Sequence, residues 1–438
     1  MLKMRSLQNL MFLVSLILII SGSQRLSAQT PPTVFPINVS TNGRYLKDQK
    51  GNPFFYLADT GWQIFNKLTK AEAEQYLEDR KKKGFNVIQA QIVGHFPDAA
   101  SNTDGQQAFS DVASLTPNDK YFDHVEWVLQ KASEKSLLVA LSTMWFGYNE
   151  SGWYHHMNNE NIKPYAQYLA NRFKKYNNII WIHGGDWKPK KKTEAINIMA
   201  NILKKDAPHQ LQTFHNGFNG ASTDDFGCEN WLDINMSVAV DPIETYSFIL
   251  SSYNHEHPKA LPVVMGEPPY ELERTDDYGI RSRAYWTMFS GGAGFAYGVI
   301  PVWNFDKGWQ NAMQADGGKQ LAHLKSLMTS RKWYDLVPDQ NSKFVVAGRG
   351  AFGSAEYVTA TKTEDGTLVL AYLPKSATVT VNLSKMTGKI KAQWFDPTNG
   401  SYKTIDGSPF QNTAVKSFIP SAFNSIGGSD WVLVLEVE

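Results

Sequence analysis

An α/β fold, a (β/α)8 TIM barrel followed by a smaller all-β sandwich domain, is predicted by three observations. Eight strand-like runs occur across residues 54–334, and all but one lead into a clear helical pattern, at a length that suits a (β/α)8 barrel. Past "WYDLVPDQ" the helical period disappears, and short alternating runs separated by turn residues take over. The first run ends in "LADTGW", which lacks the glycine-rich phosphate turn expected of a doubly wound open sheet.

The elements follow in order. Residues 1–28 read as a signal peptide: Lys3 and Arg5 precede the apolar run "LMFLVSLILII", and Ala28 stands at a plausible cleavage point. The run is short for a bilayer span, so the mature protein is expected to be exported, to the periplasm or beyond, with no membrane insertion. Residues 29–53 read as a hairpin leading into the barrel, with turns in "STNGRYL" and "KDQKGNPF". Strand one is "FFYLADTGW". The helix "LTKAEAEQYLEDRKKKG" follows, with Thr69 and Glu72 spaced as a capping box and Gly84 as its stop. Strands two to five are "FNVIQAQIV", "LLVALSTMW", "NIIWIHGGDW" and "LQTFHNG", with helices after the first three of these. Strand six lies in the irregular "LDINMSVAV". The next helix is expected to open at Asp241 as cap, with Pro242 at its first position. Strand seven is "LPVVMGEPPYE" and strand eight "GAGFAYGVIPVW", each followed by a helix. Residues 335–438 supply the sandwich strands "TLVLAYL", "ATVTVNL", "KIKAQWF" and "DWVLVLEV", read as a stabilising appendage.

The bulk composition excludes several functions. With 43 basic and 42 acidic side chains, the near-neutral charge argues against nucleic acid or an anionic membrane as the main partner, since both select for basic faces. Its one cysteine, Cys228, rules out an intrachain disulfide, so an exported fold must rest on its core. Aromatic content is high, at 13%, which serves either a large core or flat platforms for sugar rings.

A barrel of this kind carries its chemistry at the C-terminal ends of the strands. Read from the sequence, that rim holds Asp59 and Trp62 from strand one, Gln89 and Gln91 from strand two, and Trp145 from strand three. It continues with His183, Asp186 and Trp187 from strand four, His215 and Asn216 from strand five, Asn235 from strand six, Glu267 and nearby Tyr270 from strand seven, and Trp303 from strand eight. Trp62, Trp145, Trp187 and Trp303 are expected to wall the site. Singly, Glu267 beside two prolines could be a local cap, and "GGD" reads first as a tight turn whose Asp satisfies backbone amides. Together they place two carboxylates on strands four and seven, which face each other across a barrel. Glycoside hydrolysis needs that pair, one acid ionised to attack and one protonated to release the leaving oxygen. Pro268 and Pro269 would then stiffen the post under the nucleophile, and Gly266 would let substrate approach. Glu271 is the carboxylate next in line should Asp186 not be the acid.

At these residues the chain resembles a known group. An acid/base on strand four and a nucleophile on strand seven resemble the clan of retaining (β/α)8 glycosidases, although that clan has Asn-Glu where this chain has Gly185-Asp186. "LADTGW", "WIHGGDW" and "MGEPPYE", with "WYDLVPDQ" and the β-rich tail, resemble the apiosidase family of glycoside hydrolases, family 140. The resemblance implies Asp186 as general acid/base and Glu267 as nucleophile. It also implies an exo-acting enzyme that releases apiose from a side chain of the pectin rhamnogalacturonan II, with a plant cell-wall oligosaccharide as its partner. No cofactor or metal is called for, and a monomer is expected.

Other classes fit less well. A metallohydrolase would want His-x-His at the end of strand one; the only close histidines are His155 with His156 and His255 with His257, away from the strand tips. A serine hydrolase would want a Gly-x-Ser-x-Gly elbow, which is absent. A glycosidase of the same barrel with another sugar specificity, and a non-catalytic carbohydrate-binding protein, remain as alternatives. The latter would keep the aromatic rim without needing both acids.

Overall fold

The computed structural model describes residues 32–438 apart from Pro242 and His257, so the signal segment at residues 1–28 and the helix start at Pro242 lie outside the described residues. The eight expected barrel strands are Tyr56–Thr60, Val87–Gln91, Leu138–Ser142, Ile179–Asp186, Gln212–Gly217, Asn235–Val238, Val263–Glu267 and Gly292–Tyr297. Numbered one to eight, they hydrogen-bond in parallel in the order five-four-three-two-one-eight-seven-six. Between strands five and six the backbone amides of Asp233 and Ile234 both donate to the Gln212 carbonyl, which nearly closes the ring.

Side-chain parity divides the barrel into two cores. Tyr56, Ala58, Val87, Ala140, Ile180, Ile182, Met236, Val264 and Ala296 fill the interior. Leu57, Ile88, Val139, Trp181, Phe214 and Phe295 face the surrounding helices. With apolar side chains on both faces, the strands read as continuous apolar runs rather than alternating ones. Three short antiparallel strands, Asn38–Val39, Leu46–Lys47 and Pro53–Phe54, precede the barrel. Leu46 and Phe54 from these strands, with Ile37 just before them, join the interior cluster alongside residues that open the barrel strands, and so plug its N-terminal end.

Of the two helix starts that caps predict, one is found as expected. Lys70–Lys82 carries the full capping box between Thr69 and Glu72. The helix expected from Asp241 instead spans Thr245–Asn254 and has no side-chain cap. Asp241 is engaged earlier, accepting the Ile243 amide at 2.8 Å in a local turn, which postpones the helix.

The C-terminal domain pairs a six-stranded with a three-stranded antiparallel sheet. Val345, Val379, Val381 and Phe418 pack against Val369, Ala371, Ala392, Leu433 and Leu435 between them. The other face of the larger sheet, with Leu370, Tyr372, Val432 and Val434, merges into the core around the barrel. There Tyr372 stacks on Tyr285 of the helix Asp277–Phe289 at 4.9 Å, and Arg281 from the same helix forms a buried ion pair with Asp430 at 2.8 Å. The sandwich is therefore fused to the barrel wall. No helix among the described residues is long and apolar enough to cross a membrane.

Candidate active site

Strand four ends on Gly184, Gly185 and Asp186, three consecutive residues with φ of +74°, +130° and +57°. A Cβ at Gly184 would overlap the Phe214 ring and one at Gly185 the Trp145 indole, so both positions require glycine for space as well as conformation. Asp186 has no such licence, and its left-handed backbone is a local strain held by its neighbours. The carboxylate meets side chains rather than the backbone amides of a simple turn: Oδ2 accepts the Trp145 Nε1–H at 3.1 Å.

Strand seven ends on Glu267. Its Oε1 accepts the Tyr270 hydroxyl, whose oxygen in turn accepts the Trp62 Nε1–H at 2.7 Å. Its Oε2 faces His215 Nε2 at 2.8 Å, close enough for charge pairing although the contact misses hydrogen-bond geometry. Gly266 does not serve substrate approach: a Cβ there would strike the Met236 side chain, so the glycine makes room for the barrel core. Gln89 donates to the Gly266 carbonyl at 2.7 Å, fixing the strand end from across the interior.

His215, from strand five, completes the cluster, and one ligand-type atom each from Asp186, His215 and Glu267 lie within 4.8 Å of one another. The electrostatics separate the two acids. Burial pushes the Asp186 carboxyl up, and the negative Glu267 adds to the rise, bringing it to about 7. Burial acts on Glu267 in the same direction. However, the close approach of His215 and the Tyr270 hydroxyl outweigh it and hold Glu267 below the usual glutamate range. Burial would depress His215, yet its two carboxylate neighbours raise it, in keeping with a charged partner for Glu267. At neutral pH the geometry favours one ionised and one protonated carboxyl, the division of labour that glycosidic bond cleavage requires. Two carboxylates and an imidazole could also ligate a divalent cation.

A family model described as the apiosidase-like catalytic domain matches residues 40–335. The chain belongs to this apiosidase-like family. A second model, whose description is of a collagen-binding domain proposed for a collagenase, matches residues 337–436. Among solved structures, one titled as a glycoside hydrolase is 30% identical with a TM-score of 0.82, covering 93% of this chain and 99% of its own. Another, titled as a glycoside hydrolase family 5 protein from Bacteroides vulgatus, is 27% identical with a TM-score of 0.83, covering 92% of each chain. No curated protein matches the chain. The protein is a glycoside hydrolase with an apiosidase-like, family-5-like barrel.

Most of the rim residues expected from the sequence meet at the apiosidase-like site. Trp62 and Trp145 pack against each other at 4.7 Å, and Trp145 lies 4.7 Å from the His215 ring. Both indoles are buried, so they are core and wall at once. Gln91 accepts from Gln63 at 2.5 Å and contacts His95 Nδ1 at 3.2 Å. Trp303 is half-buried, 6.1 Å from the His95 ring, and Trp187 stands on the rim just beyond Asp186.

Four expected residues point the wrong way. Asp59 faces the helix layer, where it accepts the Tyr76 hydroxyl and pairs with buried Arg80 at 3.2 Å. His183 faces outward to Gln212 Oε1 at 2.8 Å and Thr143 at 3.2 Å, and burial pushes its imidazole down to about 4. Asn235 is tied to Thr223, accepting from its amide at 3.3 Å. Asn216, also read as rim, donates to the Ala221 carbonyl at 3.0 Å. Glu271, the reserve carboxylate, accepts the Tyr297 hydroxyl at 2.5 Å and the Gly317 amide at 3.1 Å, at the start of the helix Asp316–Thr329. It braces the fold behind the site.

One residue was missed. His95, four positions past Gln91, packs 6.3 Å from Trp145 and lies within the field of Glu267; burial pushes it down to about 4, leaving a neutral imidazole at neutral pH. Its signal was the lone histidine of "VGHFPD", just beyond a strand tip.

Proposed function

We propose that the protein is a retaining, exo-acting glycosidase that releases apiose from a side chain of rhamnogalacturonan II, acting as an exported monomer on plant cell-wall oligosaccharide. The observation that carries the mechanism is the approach of Asp186 and Glu267. A carboxylate oxygen from each lies within 4.8 Å of the other, which supports the ~5–5.5 Å spacing of retaining enzymes over the ~6.5–9.5 Å of inverting ones. Ionised Glu267, oriented by His215 and Tyr270, attacks the anomeric carbon while protonated Asp186 donates to the leaving oxygen. Asp186, now ionised, then takes a proton from the water that opens the glycosyl-enzyme ester. Membership of the apiosidase-like family supports apiose as the sugar, and the enclosing Trp62, Trp145, His95 and Trp303 suit a single terminal residue.

A second reading keeps the mechanism and changes the sugar; it is favoured by the likeness to a solved family 5 hydrolase. Incubation with pectic oligosaccharides and a panel of other glycosides, with released sugars separated by chromatography, distinguishes the two. Free apiose with retained anomeric configuration is the expected product, and release of a different sugar alone would replace the substrate assignment. No release from any glycoside would favour a carbohydrate-binding role. Chelation is expected to leave turnover intact. Loss of activity to a chelator, restored by zinc or calcium, would recast Asp186, His215 and Glu267 as a metal centre.

A further inference from the structure

Three loops meet beside Asp186, and each presents an aromatic ring: Tyr148 and Phe218 are exposed, and Trp187 is only partly buried against the core. Trp187 follows Asp186 directly. Phe218 follows Gly217, the residue of strand five that pairs with Asp186, and Tyr148 comes from the loop after strand three. The rings of Tyr148 and Phe218 stack at 5.6 Å with 26° between their planes, yet they are 59% and 44% exposed. Trp187 meets Tyr148 edge-on at 5.6 Å. It is pinned in turn, its Nε1–H donating to Glu150 at 3.2 Å and the Lys190 ammonium lying 4.5 Å over its ring. His155 and Lys190 hold Glu150 at 3.1 and 3.5 Å.

The backbone of these loops is unusual in the same places. Of the eleven non-glycine residues with positive φ among the described residues, five flank the three rings: Asn149, Glu150, Asp186, Lys190 and Asn219. Strain of this kind persists only where surrounding contacts over-determine it, and it clusters at ligand sites. A stacked pair of exposed rings, held by strained loops, also carries the cost of hydrated apolar surface that a partner would remove.

We propose that Tyr148, Phe218 and Trp187 form the leaving-side subsite, a platform for the apolar face of a pyranose ring attached to the oxygen that Asp186 protonates. The inference rests on the mechanism proposed above. The general acid must reach the leaving oxygen, so the sugar carried by that oxygen lies on the Asp186 side of the mouth. The platform is continuous with Asp186 on two strands. Glu150 and Lys190 stand at its edge, where ring hydroxyls would need hydrogen-bond partners.

The test compares two substrates in the mature enzyme: a pectic oligosaccharide, whose leaving group is a sugar, and the glycosyl fluoride of the sugar released, whose leaving group is too small to reach the platform. Tyr148→Ala and Phe218→Ala should each lower kcat/KM on the oligosaccharide by about tenfold, the scale of one lost aromatic contact. Turnover of the fluoride and the melting temperature should hold. Tyr148→Phe, which keeps the ring, should stay within about twofold of wild type on both substrates. Equal losses on both substrates, or no loss on the oligosaccharide, would overturn the subsite while leaving the two-acid mechanism standing. A wild-type enzyme inert towards both substrates would sink that mechanism, and the subsite with it.

Discussion

The tips of strands four and seven carry the same functional group in opposite surroundings. Asp186 sits on a strained, glycine-bought turn and receives one neutral indole N–H. Glu267 sits at the end of an ordinary strand, touched by a phenol and an imidazole whose charge it shares. Both are shielded from water, so both carboxyls would rise; only Glu267 has enough compensation to fall. The difference teaches that the acid of the pair is defined by what is withheld from it. One donor too few keeps Asp186 near neutrality, and the charge on Glu267 pushes it there.

The comparison is broken most completely by removing the charge that polarises it. Glu267→Ala should lower turnover of every substrate by roughly 10⁴-fold or more, since no glycosyl-enzyme can form. It should also return Asp186 towards an ordinary carboxylate, because its negative neighbour is gone. Residual activity near wild type would remove Glu267 from the nucleophile's place.

Next in size is the opposite tip. Asp186→Ala should damage the natural substrate by roughly 10²–10⁴-fold, the contribution of a general acid, and spare glycosylation from an activated aryl leaving group. Azide should then restore turnover by attacking the intermediate without base assistance. An Asp186 variant equally dead on both substrates, with azide giving nothing, would show that the acid lies elsewhere.

His215, close to both carboxylates, gives a smaller effect. His215→Gln removes the imidazole partner of Glu267 and should cost roughly 10–100-fold in kcat, the worth of a charge-assisted contact. Both carboxyls lose a lowering influence, so both limbs of the pH profile should move to higher pH. A loss of activity with the profile unmoved would make the role purely steric.

The contrast between the tips also shows how far the sequence could be read. Strand and helix order was legible because each apolar run was bounded by caps and turns, and the two acids stood out at the ends of those runs. Which rim residues face inward was not legible. Asp59, His183 and Asn235 differ from the inward-facing Ala58, Ile182 and Met236 by one position along a strand, and a one-residue step reverses the face. In a strand buried on both sides, apolar neighbours such as Leu57 and Ala58 carry no mark of parity. His95, Tyr148 and Phe218 lie in loops beyond the strand ends, where no periodicity operates. Gly266 was assigned to substrate because the sequence does not reveal that Met236 of the adjacent strand fills the space above it.

The finest adjustment tests whether the single indole hydrogen bond sets the level of Asp186. The Trp145 Nε1–H stabilises the ionised carboxylate and so lowers its pKa against the upward push of burial and of Glu267. Activity needs Asp186 protonated, and kcat/KM should therefore fall as pH rises through about 7 in the wild type. Trp145→Phe keeps an aromatic ring against Trp62 and His215 but removes the donor. The carboxyl then rises, and the alkaline limb should move up by about 0.5–1 pH unit, the equivalent of one neutral hydrogen bond. The acidic limb, set by Glu267, should stay in place because Trp145 makes no hydrogen bond to it. A limb that moves down, or both limbs moving together, would mean that Trp145 acts on the whole cluster through packing. The ionisation of Asp186 would then belong to burial, Glu267 and His215, without Trp145.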